Sequence, residues 1–241
     1  MRINGIRGCW AFAAALTLFA LAPLHAAPPF KPQASRASLS PKQVLARMDE
    51  AAEQVKTISA RLSYTTVTVL VNDHSTQTGE LFFHKGKSLE VLVRFLKPDL
   101  KVILFKRNRA EIYNPKISQI QEYDLEKHSN MLQQFLLLGF GTPISDLASS
   151  YHLKVLGEKR LANETTQTLE LTPIDKSIAA QLTRIDLWVS EESWLPVQQE
   201  FFEPSGDYLV ASYSDMKVND HLKRSVFEIH PPEGTTRVKM N

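Results

Sequence analysis

The chain has 241 residues, with 28 lysines and arginines against 26 aspartates and glutamates, and a single cysteine, Cys9. A lone thiol excludes a disulfide framework and any site built from several thiolates. So balanced a charge leaves no electrostatic footprint for nucleic acid, and the length admits one large β domain as readily as two small ones.

The first residues, "MRINGIRGCWAFAAALTLFALAPLHAAPPF", place Arg2 and Arg7 before a short apolar run, Trp10 to Ala22, followed by the small residues Ala26 and Ala27. That is the order of a secretory signal peptide, and the run is too short to span a bilayer comfortably. Cleavage is expected after Ala26, with Ala27 as the alternative because Leu24 is bulky for its position. Ile6, Arg7 and Gly8 ahead of Cys9 do not make a lipoprotein processing site. The expectation is a soluble exported protein of the periplasm, without lipid anchor: residues 1–26 signal peptide, 27–39 a flexible Pro- and Ser-rich leader, 40–241 one domain.

Ser40, Pro41 and Gln43 form an N-terminal helix signature, and Val44, Met48, Ala51, Val55 and Ile58 recur at helical spacing behind it. From Arg61 the period changes. "ARLSYTTVTVLV" alternates, "NDHSTQTG" breaks it, and "GELFFH", "SLEVLVRFL", "KVILFKRNRAEIYNP" and a more polar "KISQIQEY" follow as strands with short turns. Such short connections favour an antiparallel meander. "LEKHSNMLQQFLLLGFGTPISDLASSY" predicts a helix over Glu126 to Leu138, apolar nearly all round, and a second short one entered through Thr142 and Pro143. Strands resume with "HLKVLGEK", "TTQTLELTP", "RIDLWVSEE", "LPVQQEFFEP" and "YLVASYSDM", with a helical turn at "DKSIAAQL". The chain ends in "VFEIHPPEGTTRV", a short strand stopped by Pro231 and Pro232. The sum is a mainly β (α+β) protein of about nine to eleven antiparallel strands, a sheet large enough to curl or close.

The run "GELFFHKGKSLEVLVRFLKPDLKVILFKRNRAEIYNPKISQIQEY", with Tyr113, Asn114 and Pro115 in its last strand, resembles LolA-type periplasmic lipoprotein carriers. So does the tail "FEIHPPEGTTRV", with Phe227, Pro231, Pro232 and Gly234. The resemblance implies an unclosed antiparallel β-barrel with helices covering an apolar cavity. It also implies a non-catalytic carrier, without cofactor or metal, that shelters the acyl chains of a lipoprotein or lipid. Its partners would be an inner-membrane release complex and an outer-membrane acceptor, with only transient membrane contact. One departure is the basic turn, where the family's Arg-Pro is replaced by Lys85, Gly86 and Lys87. Lys87 brings charge without a bidentate donor, and Arg94 in the next strand is the other candidate for a lid or polar contact.

Residues two apart on a strand share a face, so Leu81, Phe83, Val91, Val93 and Phe95 are expected to line the cavity, with Leu132, Phe135, Leu136 and Phe140 facing them. The same pattern also fits plain barrel core. An enzyme reading finds little support: His74, His84, His128, His152, His221 and His230 form no metal pair, and no Gly-x-Ser-x-Gly elbow exists. Gly139 and Gly141 lack a third glycine, Ile144 standing in its place. The competing readings are an envelope sensor or adaptor that uses the same half-barrel to bind a protein partner, and an enzyme acting on envelope lipids.

Overall fold

The computed structural model describes residues 39–125, 140 and 143–240. The expected signal peptide, most of the leader, and the Glu126 to Leu138 helix with Leu132, Phe135 and Leu136 lie outside the described residues.

Helix α1, Pro41–Gln54, begins as its sequence demands. The Ser40 side chain accepts from the Gln43 backbone, and the Gln43 side chain accepts from the Ser40 N–H, so two otherwise orphaned donors are satisfied. Its buried stripe is Val44, Met48 and Ala52. Ala51 lies only at its margin, and Ile58 belongs to the following strand.

Among the described residues one sheet holds 12 strands in the order β12-β6-β5-β4-β3-β2-β1-β11-β10-β9-β8-β7. The first meander comprises β1 Thr57–Thr68, β2 Asp73–Lys85, β3 Leu89–Lys97, β4 Lys101–Lys106, β5 Arg109–Asn114 and β6 Gln119–Asp124. The second comprises β7 Tyr151–Leu161, β8 Glu164–Pro173, β9 Arg184–Ser190, β10 Pro196–Phe202 and β11 Tyr208–Val218. β1 joins them by pairing with β11, for example Leu62 with Tyr213. The two edges, β12 and β7, do not pair, so the sheet is an open barrel.

Three expectations change. "NDHSTQTG" does not break the sheet: Asp73 to Thr78 continue β2 in register with β1, and Thr65 and Thr76 hydroxyls meet at 2.9 Å. The turn is instead Val69–Val71, a single 3-10 turn closed by Asn72 at φ 50°. The tail forms a 3-10 turn, Arg224–Phe227, where a strand was expected, and β12, Thr236–Met240, follows the prolines and pairs parallel to β6. That pairing spans more than a hundred residues, so no local pattern announces it. A 3-10 turn, Pro115–Ile117, between β5 and β6, helix α2, Ile144–Ser150, and a single turn α3, Lys176–Ala179, complete the described elements.

Candidate functional site: the inner apolar face

The expected set on β2 and β3 assembles on one face. Leu81 is opposite Val93, Phe83 opposite Val91, and Gly79 opposite Phe95. A Cβ on Gly79 would stand 2.0 Å from the Arg94 carbonyl oxygen, so only glycine admits this approach of β2 to β3. The Phe95 ring meets Tyr64 edge-on, centroids 5.8 Å apart.

These residues belong to one continuous core with Ile58, Ala60 and Leu62 of β1, Leu169 and Leu171 of β8, and Ile185, Leu187 and Val189 of β9. Val44 and Met48 of α1 and Ile144 and Leu147 of α2 cover it. Leu81, Phe83, Val91, Val93 and Phe95 are 0 to 4% exposed. Phe140 joins them, 2% exposed, with its ring edge-on to Tyr213 at 4.8 Å. Tyr213 donates to Gln199 at 3.0 Å, a polar pair within the apolar face, and burial pushes the pKa of its hydroxyl upward.

The polar candidates lie elsewhere. Arg94 alternates with Val93 and Phe95, so it points to the outer face, where it donates to Glu80 at 3.2 Å beside the Phe82 ring. Lys87 is exposed in the β2–β3 turn. The lysine of that turn which touches the covering helix is Lys85, whose Nζ donates to the Ala52 carbonyl at 3.2 Å. A cation there complements the C-terminal end of the α1 dipole. Asn219 secures the same end, donating to the Gln54 carbonyl at 3.0 Å and accepting from the Lys56 N–H at 2.7 Å. Asp49 accepts from the Ile144 N–H at 2.5 Å and so ties α1 to α2. Neither Asp49 nor Asn219 carries a sequence signal for these contacts.

On the outer face Leu92, Val102, Leu104, Tyr113 and Ile120 form a second core under Phe227, flanked by Phe82, Leu222, Val226 and Ile229. Both faces of β3 are therefore buried, which accounts for its doubly apolar sequence. Glu90, its side chain 4% exposed, binds Lys106 at 3.0 Å, Arg224 at 3.2 Å and His84 at 3.3 Å. Burial opposes its ionisation, yet the hydrogen bond and charge of Lys106 together with the charge of Arg224 outweigh burial and hold its pKa below the usual value. Arg224 thereby pins the terminal segment to the sheet.

A groove of about 780 Å³ is lined by Asn163, Glu164, Glu192, Ser214 and Asp215, and by Tyr213 of the apolar core. Among the described residues no cluster of three or more His, Cys, Asp or Glu could hold a metal ion.

The model of the MucB/RseB N-terminal domain matches residues 40–229. The chain belongs to that family. Among solved structures, MucB has 16% identity and a TM-score of 0.51, covering 78% of this chain and 62% of its own. An uncharacterised conserved protein of Thermus thermophilus has 12% identity and a TM-score of 0.54, covering 83% and 98%. The LolA superfamily protein NE2245 of Nitrosomonas europaea has 20% identity and a TM-score of 0.42, covering 80% and 99%. The chain thus spans about three fifths of the MucB chain. A search of curated proteins gives no match. The unclosed sheet expected from the motifs is the one observed, and this MucB/RseB-family chain is similar in fold to MucB.

Proposed function

We propose that the protein is a non-catalytic periplasmic binder that shelters acyl chains of a lipoprotein or lipid against the inner face of its open sheet, for transfer toward the outer membrane. The observation that carries this reading is the continuous apolar inner face under α1 and α2, into which Leu81, Phe83, Val91, Val93 and Phe95 all project. Burying an acyl chain there is worth about 0.8 kcal/mol per methylene, enough to hold lipid without a bond. Because those side chains are already 0 to 4% exposed, a chain enters by displacing a neighbour. Phe140, seated edge-on against Tyr213, is the occupant proposed to yield. Leu132, Phe135 and Leu136 remain proposed contacts in the same segment of sequence.

Native mass spectrometry of protein purified from a bacterial periplasm tests this reading, an acylated species at about one per chain being expected. Uptake of a fluorescent fatty acid should be lost in Val93→Glu and kept in Glu200→Gln, with the β signal in circular dichroism retained in both. A ligand-free mass together with no probe uptake would overturn the carrier reading. Membership of the MucB/RseB family favours a second reading, in which the half-barrel is an adaptor for a protein partner. MucB has been solved in complex with MucA from Pseudomonas aeruginosa. Crosslinking that recovers a protein and no lipid would select that reading.

A further inference from the structure

The turn between β1 and β2 presents three consecutive large apolar side chains to water. Val69 is 53% exposed, Leu70 93% and Val71 68%. Such exposure is unusual for a run of three, because each residue forfeits the gain of burial.

The turn is also held in shape. Pairing runs to the last residues of both strands, Thr68 with Asp73 and Val67 with Tyr208. The Val69 N–H donates to Asp207 Oδ1 at 2.9 Å, which ties the tip to the β10–β11 turn. The Asn72 N–H returns to the Val69 carbonyl at 3.2 Å. Fixed backbone with outward apolar side chains is a presented surface.

The strand directions put further apolar side chains at the same end of the sheet. Leu96 and Leu100 flank the β3–β4 turn, Ile117 lies in the β5–β6 turn, and Ile174 follows β8, all exposed. These prongs sit on four separate connections spread along one end of the sheet, so an occupant that meets them all must conform to a broad, discontinuous surface. A soft, continuous apolar medium does. Charges at this end are mixed: Lys97, Lys101 and Lys116 accompany Asp73, Asp99 and Asp207, with Lys116 bound to Asp99 at 2.6 Å. Attachment there would come from inserted apolar surface, with little help from anionic headgroups.

We propose that the Val69–Val71 tip inserts into the interfacial layer of a lipid bilayer and docks this end of the sheet on the membrane. The purpose of such docking rests on the carrier reading, whereas its measurement does not.

The test is sedimentation of the secreted chain with vesicles of phosphatidylethanolamine and phosphatidylcholine, and again with phosphatidylglycerol added. Wild-type protein should partition onto both, with little change when salt is raised. Replacing all three tip residues by serine should lower partitioning about tenfold or more, as expected when apolar insertion supplies the binding. Leu70→Trp should keep it and shift its fluorescence to the blue on contact with vesicles. Wild-type protein that stays in the supernatant, a serine variant that partitions like wild type, or binding only to anionic vesicles and abolished by salt would each overturn the proposal. Fatty-acid uptake measured in the same serine variant separates the two ideas: retained uptake with lost partitioning indicts the tip alone, and lost uptake in wild type indicts the cavity alone.

Discussion

The outer faces of the two meanders belong to one sheet and differ in character. On β2–β6 that face carries Leu92, Val102, Leu104, Tyr113 and Ile120 under Phe227, and its carboxylates Glu80, Glu90, Glu111 and Glu122 are each paired with a cation. On β8–β10 it carries Glu170, Asp186 and Glu200 side by side in register. Burial and the facing carboxylates raise the pKa of both Asp186 and Glu200, with Arg184 only 3.0 Å from Asp186 as partial relief. The inner faces of both regions contribute to one apolar core, which on β10–β11 also holds the Gln199–Tyr213 hydrogen bond. Apolar residues on both sides of β3 therefore report a second layer of protein over its outer face.

The strongest way to break the contrast is to remove the second layer. Phe227→Ala should cost about 3–5 kcal/mol, the range for truncating a fully buried aromatic, in denaturant unfolding. Glu90→Gln should follow at about 1–3 kcal/mol at neutral pH, since the buried carboxylate loses its charge-assisted pairing with the partly exposed Lys106 and the exposed Arg224. The Glu90 pKa is depressed in the folded state, so its contribution is present above the ordinary carboxylate value of 4.5 and disappears as pH falls through the lowered one. Wild type and Glu90→Gln should accordingly converge in stability in acid. Gly79→Ala should cost about 1–3 kcal/mol, through the clash with the Arg94 carbonyl. Glu200→Gln, on the uncovered side, should stabilise by a few tenths of a kcal/mol at neutral pH. A raised carboxylate pKa favours the protonated form, so that gain should fade as pH falls, and a Glu200→Gln loss as large as that of Glu90→Gln would end the comparison.

Local chemistry made much of this legible. The capping box at Ser40 and Gln43 and the alternation of Leu81, Phe83, Val91, Val93 and Phe95 place helix and strands as they stand. The same alternation puts Arg94 outside, because its neighbours Val93 and Phe95 face inward, so its distance from the apolar set was readable. Two features were not. Val69, Leu70 and Val71 look like the continuation of a strand, and only the left-handed Asn72 and the Asp207 contact make them a turn. β12 depends on β6, far away in sequence, and on a C-terminal run whose composition favours no structure. That Lys85, and not Lys87, meets the Ala52 carbonyl depends on the turn's three-dimensional path.

The β1–β11 pairing has a kinetic consequence. Every other antiparallel pair joins neighbours along the chain, whereas this one brings Leu62 to Tyr213. Closing so long a loop costs entropy before its contacts repay it. Each meander can zip locally, but the inner core forms across both only when the eleventh strand arrives. A chain that emerges amino end first would hold the first meander with β1 as a bare edge until then. Such an edge invites pairing with other chains, so folding helpers have most to protect during that interval.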